Sequence, residues 1–181
     1  MALSAEISVP IREMKTVRRM THALCSRRHL QQALGAVWLF DGLLQLQPSM
    51  WTQNLVTGIM QPATQGQPAV VGATLTPMVH LASRFVVPTN ATILLAQVAV
   101  GLCLLSGRFV RPALMVSVVW ALGVWYWGEG LGMVLTGQAS VLTGAPGAVL
   151  LYAVLGLAAY PPRDGGRELL SRKRLRWLLA A

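Results

Sequence analysis

Charge is what this chain has least of. Only 12% of its 181 residues are Asp, Glu, Lys or Arg, where a soluble domain carries roughly 25%. Acid is scarcer than base: between Met14 and Pro162 the acidic residues are Asp41 and Glu129 alone. Cysteine is nearly missing as well. Cys25 and Cys103 stand outside any CxxC or other metal-type spacing, so neither a disulfide framework nor a cysteine metal site is expected. Residues 1–29 contain no apolar stretch of the kind a secretory signal needs; they read as a retained cytoplasmic tail. The net charge of +9 raises the question of nucleic acid. No aromatic-interleaved basic surface and no nucleic-acid module accompany it, so no nucleic-acid partner is expected.

What the chain does have is apolar length. Hydrophobic residues make up 54% of it, and its mean hydropathy is +0.54. A helix crossing the hydrocarbon of a bilayer needs about 20 mostly apolar residues. Four segments approach this: about 30–47, 85–106, 110–127 and 144–160. The expected fold is therefore all-α, an integral membrane four-helix bundle over residues 30–160. Basic tails flank it at 1–29 and 161–181. Pro48 is expected to end the first span. Residues 49–60 suggest a short interfacial helix capped by Ser49, with Trp51, Leu55 and Ile59 on one stripe. Residues 68–83, interrupted by Gly72 and Pro77, read as an interfacial or re-entrant segment, with a broken span as the alternative. Residues 128–147 form a Gly-rich connection.

The basic residues test this topology. Six lie between Arg12 and Arg28, six between Arg163 and Arg176, and Arg108 and Arg111 share a short loop. With both termini cytoplasmic, fourteen of the fifteen Lys and Arg fall inside and Arg84 alone outside, as the positive-inside bias requires. The N-terminal cluster reads as a positive flank, or as a basic helix on anionic lipid. Trp51, Trp125, Tyr126 and Trp127 would then sit at the outer headgroup level, with Tyr160 and Trp177 at the inner one.

Chemistry is expected around Asp41. A carboxylate within a span is costly, faces protein or water, and usually has a partner. It lies roughly 18 Å along the helix from His29, in the outer half. Trp38, Asp41 and Gln45 recur at helical spacing and form one stripe toward the bundle interior. Glu129, His80 and Arg84 are expected at the same level, with Asn90 and Gln97 as neutral polar groups. One reading is an outward-opening pocket in which Asp41 pairs with Arg84 or His80 and meets a quinone-type headgroup or a proton. The other is a structural ion pair that fixes helix register. Met78 and His80, with Met50 and Met60 nearby in sequence, offer copper as a further possibility through thioether and imidazole ligands. Gly35 and Gly42 point instead to close helix packing. The GEGLG run at 128–132 has no preceding strand and builds no nucleotide site.

The basic RRH at 27–29, the span LGAVWLFDGLLQLQP at 34–48 and the long outer loop before the second span resemble the DoxX/DoxD-like group of small bacterial membrane proteins. The resemblance covers about residues 27–160. It implies a small accessory subunit of a membrane redox complex in the bacterial inner membrane. Quinone would be its associated cofactor, and lipids, other membrane subunits or further copies of the chain its partners. A quinone-linked oxidoreductase subunit with its own activity is the alternative, and copper handling the second.

Overall fold

The computed structural model of this chain describes residues 26–140, 142 and 144–161. Both basic tails, together with Cys25 and Trp177, lie essentially outside that range. The described residues are helical, and no strand element occurs among them. Five α-helices carry the architecture: α1 (Arg27–Leu44), α2 (Ala69–Arg84), α3 (Val86–Ser106), α4 (Val110–Trp127) and α5 (Ala148–Ala158).

Four of these close into a ring, α1 against α3, α3 against α4, α4 against α5 and α5 back against α1. The α1–α3 seam is tight for a reason visible in its glycines. A Cβ on Gly35 would come within 3.0 Å of the Gly101 carbonyl oxygen, and one on Gly101 within 2.7 Å of Leu39. Small residues here let two backbones approach as membrane helices do. Leu34, Trp38, Leu104, Leu114 and Ala121 fill the centre of the ring and are fully buried.

The two ends differ. At one end Arg28 donates to the carbonyl oxygens of Leu104 (2.9 Å) and Leu105 (2.7 Å), and buried Gln31 donates to that of Ala159 (3.0 Å). These side chains satisfy carbonyls that the ends of α3 and α5 leave unbonded. Gly107 then turns the chain with φ of 74°, the left-handed conformation that commonly closes a helix. The opposite end carries a cap built from residues 48–85, 128–140 and 144–147. Gln67 donates to the Gly130 carbonyl (2.7 Å), and the hydroxyls of Thr74 and Tyr126 are hydrogen-bonded, tying α2 to the end of α4.

Several boundaries differ from the sequence reading. α1 ends at Leu44, a turn before Pro48, because the hydrogen bonds of Leu46 and Gln47 contract to carbonyls three residues back. Pro48 holds Gln47 extended, as a residue before proline prefers. Residues 48–60 form a 3-10 turn (Pro48–Trp51) and a π-turn (Val56–Met60) rather than one Ser49-capped helix, and Ser49 caps nothing. The expected stripe is split: Leu55 is buried and Ile59 exposed. Residues 69–84 are one continuous helix through Gly72 and Pro77, burying Leu75 and Ala82. α5 starts at Ala148, not 144, because Gly144 (φ 90°) and Gly147 (φ 117°) hold the preceding backbone in conformations no helix uses.

Two helices, α3 and α4, are long and apolar enough to cross a membrane, as expected for 85–106 and 110–127; α5 is apolar but shorter. In each of the two, only 22% of the apolar window is buried. A core helix of a soluble protein would hide most of such a surface. Here Leu95, Leu102, Met115, Val119, Leu151 and Leu157 all face outward.

Candidate functional site

α1 brings Trp38 and Asp41 to the interior on successive turns. Trp38 is fully buried; its indole N–H donates to the Ser117 hydroxyl of α4 at 2.8 Å. Its ring meets Tyr152 of α5 edge-on, with centroids 5.0 Å apart and planes at 82°, a favoured arrangement for two aromatic rings. Three helices are thus held by one side chain. The Tyr152 phenol in turn lies beside the Asp41 carboxylate and interacts with it.

Glu129 follows α4 in the cap. Its Oε1 accepts the Val149 N–H in the first turn of α5, at 3.4 Å, where the helix dipole favours negative charge. Its Oε2 is buried with no hydrogen-bond partner among the described residues and is packed beside Gly147 and Trp125. Trp125 fixes that corner by donating to the Pro146 carbonyl at 2.6 Å. Glu129 also lines a cavity of about 450 Å³ between Ile59, Pro62 and Ala63 on one side and Gly132, Met133 and Gly147 on the other.

The three ionisable groups feel one another: Asp41 and Glu129 repel as like charges, and both act on Tyr152. Burial, and secondarily the Asp41 charge, raises the Glu129 carboxyl above its ordinary value, against the Val149 N–H, which lowers it. A raised carboxyl binds its proton more tightly in the folded than in the unfolded chain. Its contribution to stability is therefore full at low pH and declines as pH rises from the unfolded value through the raised one. Glu129→Gln is expected to remove this part of the pH dependence. Thermal melts of both forms across the mildly acidic range measure it, and parallel curves would show that Glu129 contributes none.

Of the residues singled out in the sequence, Trp38, Asp41 and Gln45 do share the interior stripe, and Glu129 joins them electrostatically. Arg84 and His80 do not. Among the described residues no ion pair joins either to Asp41, whose partner is Tyr152. The reason is rotational: α2 turns Leu75 and Ala82 inward, and at 3.6 residues per turn His80 and Arg84 lie about 140° and 180° round from Leu75. Both are exposed. Met78 and His80 project about 200° apart on the same helix and share no ion by themselves, while Met50 and Met60 pack against Leu55, Val56, Ala82 and Val86 as apolar filler. Among the described residues no three His, Cys, Asp or Glu side chains assemble as a metal site.

Tyr152 and Ser117 escaped the sequence reading. Their signal was slight: one phenol in AVLLYAVLGLA and one serine in VRPALMVSVVWALGVWYW. Comparison with family models, with curated proteins and with solved structures gives no match for this chain.

Proposed function

We propose that the chain is a small accessory subunit of a redox complex in the bacterial inner membrane, of the DoxX/DoxD-like kind. Its α1, α3, α4 and α5 cross the bilayer with both termini cytoplasmic, and a quinone-type headgroup is received beside Asp41 and Tyr152. What carries this reading is the inversion of the bundle. Leucines and valines cover its outside, while Asn90, Gln97 and Ser117 are buried within it on the side of a carboxylate–phenol pair. Hydrocarbon tails accept the first surface, and polar side chains in a bilayer face the bundle interior, where function is usually found.

The short α5 fits the same picture. Its eleven residues reach about 16 Å, and the irregular segment 144–147 completes the level against Glu129 and Trp125. Non-helical backbone is tolerated at such depth where protein surrounds it; of this segment Gly147 is buried, while Gly144 and Pro146 are exposed. A carboxylate–phenol pair beside a second carboxyl offers both a hydrogen-bond donor and an acceptor. That suits a ring bearing carbonyl or hydroxyl groups, with Glu129 at the cap side of the path.

Purification from native membrane in mild detergent tests the proposal. A cofactor-bearing redox subunit is expected to come down with the chain. A solitary homo-oligomer that turns over a quinol would favour the independent-enzyme alternative. Recovery with neither partner nor quinone would overturn both.

A further inference from the structure

The capped half of the ring interior contains polar atoms that protein does not satisfy. Asn90 is fully buried and Gln97 is 5% exposed; the Oδ1 of the first and the Oε1 of the second have no hydrogen-bond partner among the described residues. The same is true of Gln45 Oε1, Trp120 Nε1 and Glu129 Oε2. Buried polar atoms are bonded in the great majority of cases, so these five, spread over the end of α1, α3, α4 and the cap, ask for an explanation.

Their placement is ordered. Asn90 and Gln97 are seven residues apart and share one face of α3. Gln45, the residue that closes α1, lies one turn beyond Asp41. The Asn90 amide donates to the Gln45 carbonyl at 3.0 Å, and Gln97 packs against Gly42, next to Asp41. α1 and α3 run antiparallel here, so this set leads from the first turn of α3, under the cap, down to the level of Asp41. Trp120 is one turn from Ser117 on α4, and Glu129 lies beyond it at the cap.

The chemistry of the set selects its ligand. Four of the five atoms are oxygens that accept, and the fifth is an indole N–H that only donates. A metal cation would suit the oxygens and repel the indole. Water satisfies both, since buried water typically makes about three bonds to otherwise unmatched groups. We infer that the interior between α1, α3 and α4 holds a file of bound water from the cap to Asp41, and that this file is the route by which the Asp41 carboxyl exchanges protons with the capped surface. The inference rests on Asp41 as the responsive group of the bundle, and not on the identity of any partner or quinone.

Infrared spectroscopy of the full chain in phospholipid nanodiscs tests it, at a pH where Asp41 is protonated. The Asp41 carbonyl band is identified by its loss in Asp41→Asn, and its isotope shift is followed after mixing into D2O. In the unaltered chain the shift is expected within the mixing time. Gln97→Leu, which removes a side chain that makes no hydrogen bond among the described residues, is expected to slow it at least tenfold. In a dry interior the same substitution would leave exchange unchanged and raise the melting temperature by removing an unsatisfied atom. Either of those results overturns the inference, as does slow exchange in the unaltered chain. Should Gln97→Leu fail to fold, Gln97→Met keeps an unbranched side chain of similar length and gives the same readings. Copurification is untouched by all of these variants, so failure here is distinguishable from failure of the proposed function.

Discussion

Asp41→Asn is expected to lower affinity for a quinone analogue at least tenfold, about 1.4 kcal/mol, while helix content and recovery with a redox partner stay unchanged. Asparagine preserves the volume and keeps a carbonyl oxygen beside the Tyr152 phenol, so the Trp38–Tyr152 contact has no cause to move. What disappears is the proton and the charge. Tyr152→Phe is the companion: it keeps the edge-on ring contact and removes the hydroxyl, and it should weaken binding in the same direction. Titration of the analogue into nanodisc-embedded protein reads both. If Asp41→Asn instead lowers the melting temperature and the yield of assembled protein at unchanged affinity, the carboxylate serves helix register and the site is structural.

The largest stability loss is expected at Trp38. Its side chain is fully buried, braces Tyr152 and donates to Ser117. Truncation of a buried tryptophan to alanine costs about 3–5 kcal/mol through lost contacts and the space left behind. Stranding the Ser117 hydroxyl adds about 1–3 kcal/mol. A small domain has only about 5–15 kcal/mol in total, so Trp38→Ala should fail to yield a monodisperse protein, or melt far below the parent. Trp38→Phe retains most of the packing but loses the N–H and leaves the Ser117 hydroxyl unmatched, for a cost of about 1–3 kcal/mol. Equal melting temperatures for parent and Trp38→Ala would show that the helices are held elsewhere.

Parts of this arrangement were readable in the residues alone, and the physical reason is length scale. The short loop of Arg108 and Arg111 marked the end of α3, since the left-handed turn at Gly107 that opens it is a local event. Gly35 and Gly42 announced a close seam because nothing else in α1 recommends two glycines at that spacing. The partner of Asp41 was not readable. Helical periodicity places a residue on its own helix but says nothing about how a neighbouring helix is rotated. α2 is rotated to bury Leu75 and Ala82, which carries His80 and Arg84 away. α5 is rotated to bring in Tyr152, and no periodic cue within eleven apolar residues foretells that. The start of α5 was misplaced for a related reason. Gly144 and Gly147 are compatible with a membrane helix in composition, and only their backbone angles exclude it.

The Arg28 and Gln31 bonds bear on traffic through the molecule. With a guanidinium lodged on the last carbonyls of α3 and an amide on that of Ala159, the bundle is a vessel corked at its base. If the bundle spans a bilayer and receives a ligand as proposed, that ligand would leave by the mouth it entered, and the molecule would be a cul-de-sac rather than a conduit.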